Sequence, residues 1–81
     1  MDVREHIRDR MLEAGLSQTE LARRIGCSLK HLNQFLNDRV DISGELLYRL
    51  AADGLGENEE GAMTLIARYA MERQNERAEN A

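Results

Sequence analysis

The side chains with the most chemistry to offer lie close together in the middle of the chain. Four of them recur at steps of three and four residues, namely Lys30, Asn33, Gln34 and Asn37. This spacing places them on one face of a helix. An amide side chain donates and accepts at once, which suits the N6/N7 edge of adenine, and an ammonium suits O6/N7 of guanine. The pattern therefore indicates a helix face that contacts base edges in double-stranded DNA.

A second group of polar residues fits contact with phosphates. Ser17, Gln18 and Ser28 lie at the starts of two predicted helices. Hydroxyls, amides and free backbone N–H groups at helix N-termini bind phosphate oxygens. Arg39, in the turn after the second of these helices, joins the predicted phosphate contacts. His31 flanks the base-contacting face, where a phosphate contact and a merely exposed histidine are equally good interpretations.

Catalytic and metal-binding chemistry find no support in the sequence. Cys27 is the single cysteine and has no neighbouring base, and His6 lies far from any second metal ligand. The acidic segment 53–61 has no general-base partner. Cys27 is therefore interpreted as a small packed apolar residue. We expect no enzymatic activity, no metal and no cofactor.

Five helices are predicted to position these side chains. Apolar periodicity and capping residues define their bounds. The first covers 2–14 and ends at Gly15, and the second runs from the Ser17/Glu20 capping box to Gly26. The third begins at Ser28, the fourth at Ser43, and the fifth at Asn58 or Glu59, from which it runs into the 70s. The absence of proline and the 32% of charged residues also favour a helical bundle. The predicted fold class is all-α, with a helix-turn-helix formed by the second and third helices.

The second and third helices meet the physical requirements of a DNA-binding helix-turn-helix, which needs two short helices joined by a tight turn. Ala22 is small where the helices approach each other. Gly26 lies in the turn, where glycine adopts a positive φ at little cost. The apolar wedge that fixes the angle between the helices is predicted to comprise Leu21, Ile25, Leu32 and Phe35.

This segment resembles the lambda-repressor/Cro-like (XRE) helix-turn-helix family. The similarity covers about residues 3–56 and includes a Ser-capped, Leu-rich fourth helix. It rests on eight positions of the second and third helices, which are Gln18, Ala22, Gly26, Ser28, Leu32, Asn33, Gln34 and Asn37. The resemblance implies a five-helix fold that binds operator DNA.

The resemblance also implies roles for individual residues. It implies a phosphate contact for Gln18 and a backbone or base contact for Asn37. Leu29 is apolar at a position where a polar side chain is common in the family. The contact implied for it is therefore an apolar one with a thymine methyl group. Asp38 replaces a frequent glycine and adds a negative charge near the phosphates. Base-edge contacts are implied for four positions of the third helix, Leu29, Lys30, Asn33 and Gln34.

The net charge of −4 is unevenly distributed along the 81 residues. Residues 17–40 sum to +2, whereas the connector 53–61 sums to −4. The acidity therefore lies mostly outside the predicted DNA-binding segment, and the local charge on the contacting face decides whether phosphates are attracted. We expect specific DNA binding with weak non-specific affinity.

Length and composition indicate one domain. We expect a core over 3–56, a fifth helix over 57–73 and a frayed tail over 74–81. A lone cysteine is typical of the reducing cytoplasm. The N-terminal segment lacks the apolar run of a signal peptide, and no stretch is apolar enough to span a membrane. We therefore expect a cytoplasmic protein without a membrane partner.

The fifth helix carries two apolar stripes, one with Leu65, Ile66 and Tyr69 and the other with Met63, Ala67 and Ala70. The first four helices form a core too small to cover both stripes, so a second copy of the chain is expected to cover the rest. The interface of this homodimer is predicted to contain five residues of the stripes, which are Met63, Leu65, Ile66, Tyr69 and Ala70.

Three functions are compatible with these features. The first, which we favour, is a transcriptional repressor that binds a palindromic operator as a dimer. The second is an antitoxin that binds a toxin protein and represses its own operon. The segment 42–56 is similar to that of helix-turn-helix antitoxins, and an acidic chain suits a basic toxin. The third is a helix-turn-helix used only for protein contacts.

Overall fold

The computed structural model describes residues 2–80, with their side chains up to residue 76. Within this range the fold is all-α, which confirms the predicted fold class and the order of the elements. None of the described helices is long and apolar enough to cross a membrane. The five α-helices are α1 (Val3–Ala14), α2 (Gln18–Ile25), α3 (Leu29–Leu36), α4 (Gly44–Arg49) and α5 (Glu59–Asn80).

Short polar side chains determine where the first four helices begin. Ser17, Ser28 and Ser43 each accept a hydrogen bond from the backbone N–H three residues further on. Each bond satisfies a donor that has no partner within the helix. Ser17 and Glu20 complete the predicted capping box. Asp2 caps α1 through its side chain, so this helix begins one residue later than predicted.

The turn between α2 and α3 depends on Gly26. Its φ of 72° lies in the left-handed region, and its N–H donates to the carbonyl of Ala22. Glycine adopts this conformation freely, whereas a side chain makes it costly. The predicted role of Gly26 in the turn is therefore confirmed.

Gly26→Val is expected to lower the free energy of unfolding by about 2 kcal/mol or more, because a β-branched residue at positive φ is strained. An added Cβ would approach only Arg49 Nη1, at 3.9 Å, so the cost is conformational. Gly26→Asn is the control, because asparagine tolerates the left-handed region better. Thermal unfolding followed by circular dichroism measures both variants. A valine variant as stable as the parent would contradict this role for Gly26.

The predicted wedge between α2 and α3 is buried. Leu21, Ile25 and Phe35 are fully inaccessible, and Leu32 is nearly so. Phe35 packs edge-to-face against Tyr69 of α5, with 5.8 Å between the ring centroids. The core that holds α3 is therefore continuous with the one that holds α5.

A wider helical turn follows α4 and packs against α2. This π-helical turn spans Leu50–Gly54 and continues α4 without a break. A Cβ added to Gly54 would collide with Leu21 Cδ1 and lie 3.0 Å from Ile25 Cγ2. Arg24 of α2 donates to the carbonyl of Gly54 at 3.2 Å. Glycine is required here because the turn packs directly against α2.

One stripe of α5 packs on the rest of the chain. Ala62, Leu65 and Tyr69 are at most 4% exposed, and Ile66 is partly buried against the same core. This corrects the predicted dimer interface, because Leu65 and Tyr69 are already covered by the chain's own core. The α4 segment and the turn after it cover this stripe, which the sequence pattern did not distinguish from the second one.

The second stripe of α5 remains exposed. Met63 is 53% and Met71 63% exposed, and Ala67 and Ala70 are exposed between them. We call Met63, Ala67, Ala70 and Met71 the outer face of α5. The helix continues to Asn80, beyond residue 73 where we expected it to end. Of the predicted tail 74–81, Ala81 lies outside the described residues.

Candidate nucleic-acid interface

The helix α3 buries one side and presents the other to solvent. Leu32, Phe35 and Leu36 are at most 2% exposed and hold α3 on the core. The opposite side carries all five predicted base contacts: Leu29, Lys30, Asn33 and Asn37 are exposed, and Gln34 is half-buried. The structure thus brings the predicted base-contacting residues together on one surface.

Three amide side chains form a continuous hydrogen-bonded chain on this surface. Asn37 Nδ2 donates to Asn33 Oδ1, and Asn33 Nδ2 donates to Gln18 Oε1, both at 3.1 Å. Arg8 of α1 extends it, since its Nη2 donates to Asn37 Oδ1 at 3.1 Å. We call Gln18, Asn33 and Asn37 the amide chain. Direct hydrogen bonds thus connect Gln18, a predicted phosphate contact, to Asn33 and Asn37, which are predicted base contacts.

The two serines predicted to contact phosphates differ in whether their hydroxyl hydrogen is already used in a hydrogen bond. Ser17 Oγ accepts from the N–H of Glu20 at 3.1 Å and donates to Glu20 Oε1 at 3.0 Å. Ser28 Oγ accepts from the N–H of His31 at 3.0 Å, so its own hydroxyl hydrogen is not used by that cap. Ser28 is therefore better suited than Ser17 to donate to a phosphate. Both serines are exposed, as is Arg39, whereas His31 and Gln18 are half-buried.

The structure accounts for the aspartate that replaces the family's frequent glycine. Asp38 has a φ of 62°, the one positive value among the described non-glycine residues. Aspartate tolerates this region better than most side chains because it is short and polar. Its carboxylate pairs with Arg4 Nη2 at 3.3 Å. Asp38 thus adopts the backbone conformation that glycine favours, and its charge has a partner within the protein.

Arg4 is a structural residue that sequence analysis missed. It is only 8% exposed, and its guanidinium donates to the carbonyls of Phe35 at 2.6 Å and Val40 at 3.3 Å. The guanidinium also lies 4.6 Å from the ring centroid of Phe35 and 5.6 Å from that of Tyr69. A signal was present, because residue 4 shares the apolar face of α1 with Ile7. Arg4 fixes the end of α3 and the segment after it.

A second group of bonds connects α5 to the segment that follows α3. The Tyr69 hydroxyl accepts from the N–H of Ile42 at 3.2 Å and donates to Asp41 Oδ1 at 3.1 Å. Arg73 pairs with the other oxygen of Asp41 at 3.1 Å. Burial raises the pKa of the Tyr69 hydroxyl, so it remains a protonated donor at neutral pH. The C-terminal end of α3 is therefore held from α1 and from α5.

Cys27 lies in the turn between α2 and α3. It is half-buried and packs against the core. Burial raises the pKa of its thiol, and Sγ donates to the carbonyl of Ser28 at 3.5 Å. A protonated, packed thiol is a poor nucleophile, which agrees with the interpretation of Cys27 as a small packed residue.

The fold and this surface define a DNA-binding protein of the helix-turn-helix class. Residues 7–53, more than half of the chain, match the HTH_3 helix-turn-helix family. The chain therefore belongs to this family and is a lambda-repressor/Cro-like (XRE) protein, a DNA-binding transcriptional regulator. The family is one of regulators and not of enzymes. Neither the curated proteins nor the solved structures give a match to the chain.

Proposed function

We propose that this protein is a repressor that binds a palindromic operator as a homodimer. The observation that carries the proposal is the set of amides on the exposed side of α3, which is held in place by bonds to α1 and α2. Base contacts are assigned to Leu29, Lys30, Asn33, Gln34 and Asn37. Phosphate contacts are assigned to Ser17, Gln18, Ser28, His31 and Arg39.

The dimer is assigned to the outer face of α5. Two methionines and two alanines on one exposed side of a helix form an apolar surface that a second copy can cover. The outer face spans residues 63–71, roughly 12 Å along the helix axis, so two copies can pack these faces against each other. A two-fold axis would present two copies of α3 to half-sites whose centres are about 34 Å apart.

Selection of binding sites from random DNA, followed by footprinting, tests the proposal. The expected result is a palindromic site with both half-sites protected and about ten base pairs between their centres. Recovery of no enriched sequence would reject sequence-specific binding. An enriched site with one protected half would reject the dimer and leave the helix-turn-helix assignment unchanged.

Asn33→Ala and Gln34→Ala are each expected to weaken binding to the selected site by about 1–3 kcal/mol and to relax specificity at one base position. Gln18→Ala is expected to weaken binding evenly across sequences, because a phosphate contact carries no sequence information. Binding to the selected site and to its single-base variants distinguishes the two patterns. Asn75→Ala, an exposed amide of α5, is the control and leaves binding unchanged. Parental binding by all three variants would reject the assignment.

An antitoxin is the second candidate. The observation that favours it is the set of exposed carboxylates Asp53, Glu59 and Glu60 together with the apolar outer face of α5, which would suit a basic toxin with an apolar patch. A small toxin-like reading frame beside the gene, whose growth inhibition is relieved by co-expression of this chain, would support it. Growth inhibition that persists on co-expression would reject it.

A further inference from the structure

The hydrogen bonds of the amide chain all run in one donor-to-acceptor direction. This direction can be deduced from the bond between Arg8 and Asn37 at one end of the chain. A guanidinium has N–H donors and no acceptor. Because Arg8 Nη2 lies 3.1 Å from Asn37, the atom that faces Arg8 must be the amide oxygen. Asn37 then has only its nitrogen to offer to Asn33. The same step repeats from Asn33 to Gln18.

The direction of these hydrogen bonds determines which donors and acceptors of the amide chain remain for DNA. Gln18 receives a hydrogen bond on its oxygen, so its amide nitrogen is left as the outer end of the chain. This is the polarity that a phosphate requires, because phosphate oxygens accept and do not donate. Asn33 holds its donor toward Gln18 and its acceptor toward Asn37. The amide therefore meets the N6/N7 edge of adenine in one orientation only, which distinguishes A·T from T·A.

We propose that Arg8 is a positioning residue that sets the donor and acceptor directions of the amide chain and so determines which strand carries the adenine that Asn33 contacts. Arg8 lies on α1, outside the two helices of the helix-turn-helix, and its own contacts need not include any base. The inference rests on the proposed base contact of Asn33.

Arg8 has two other roles that must be separated from this one. Its Nη2 also donates to the carbonyl of Leu36 at the end of α3, and its charge attracts phosphates. Both roles change the affinity for all DNA sequences alike. The ratio of affinities for two sites that differ only by inversion of one A·T pair cancels such uniform effects, so this ratio isolates the effect of direction.

The experiment compares Arg8→Gln with Arg8→Lys. Glutamine both donates and accepts, so it permits either direction of the amide chain, whereas lysine only donates and preserves the direction. The two sites are the selected operator and a copy with the A·T pair inverted at the position where Asn33→Ala relaxes specificity. The parent is expected to prefer the first site. Arg8→Gln is expected to reduce the preference by about tenfold, the scale of one hydrogen bond to a charged group, and Arg8→Lys to keep most of it.

The DNA-free protein provides a second measurement. In NMR spectra, the side-chain amide of Asn33 is expected to give signals of one slowly exchanging orientation in the parent and in Arg8→Lys. In Arg8→Gln it is expected to give averaged signals or the signals of two orientations. An unchanged base-pair preference in Arg8→Gln, or equal loss in both variants, would overturn the proposal. A single unchanged amide state in Arg8→Gln would do so as well. If the parent showed no sequence preference at all, the proposed function would fail, and the NMR result would still decide whether Arg8 directs the chain.

Discussion

Arg4→Met is expected to lower the free energy of unfolding by about 3 kcal/mol. The guanidinium is buried beneath two aromatic rings, and its donors satisfy the carbonyls of Phe35 and Val40. Methionine is similar in length but cannot donate, so the Val40 carbonyl loses this donor and the Phe35 carbonyl keeps only the backbone N–H of Asp38. Domains of this size are stable by about 4–12 kcal/mol, so the loss is a large part of the total. Urea unfolding followed by circular dichroism measures it.

Two further variants show whether the loss comes from the buried donors. Arg23→Met removes an exposed arginine of α2 and is expected to change stability by less than about 0.5 kcal/mol. Arg4→Lys keeps the charge but not the planar fork of donors, and it is expected to recover only part of the loss. Equal stability of Arg4→Met and Arg23→Met would show that the contacts of Arg4 contribute nothing net.

The parts of the fold that could be predicted are those that depend on near neighbours in sequence. Ser17 and Glu20 are three residues apart, and Gly26 follows the last apolar residue of α2. Both signals act within one helical turn, so residue type and spacing suffice to recognise them. The buried sides of α2 and α3 follow in the same way from apolar residues at helical spacing.

Contacts between distant segments could not be predicted by the same means. Arg4 bonds carbonyls 31 and 36 positions away, and backbone carbonyls have no sequence signature. Leu65 and Met63 are both apolar, and the elements packed on α5, mainly α4 and the turn after it, determine which of them is buried. Periodicity identifies the stripes of a helix but does not indicate which neighbouring element covers each one.

The same distinction between near and distant contacts in sequence applies to the candidate site. The residue types on the exposed side of α3 are visible in the sequence, because Asn33 and Asn37 are one turn apart. The bond from Asn33 to Gln18 requires the actual angle between α2 and α3. The bond from Arg8 to Asn37 requires the packing of α1. Sequence therefore predicts which side chains face DNA, whereas the hydrogen bonds among these side chains depend on how α1 and α2 pack against α3.

The second large effect is expected from Met63→Glu. Met63 is 53% exposed, so a charge at this position leaves the monomer's own core intact and costs the fold less than about 0.5 kcal/mol. In a dimer that packs through the outer face of α5, the same charge would be buried against apolar side chains without a partner. Burial of an unpaired carboxylate is strongly unfavourable, so the variant is expected to be monomeric at micromolar concentration.

Loss of the dimer should reduce operator affinity far more than loss of any single base contact. Two linked copies of α3 bind with an effective concentration that raises the overall affinity by about 10²–10⁴-fold, and a monomer forfeits this gain. Light scattering and binding to operators with one or two half-sites measure both effects. Leu12→Glu is the matched control, because it places the same charge at an exposed apolar position on a different helix, α1. If Met63→Glu remained dimeric, or if the parent were itself monomeric and bound only one half-site, the outer face of α5 would not be the dimer interface.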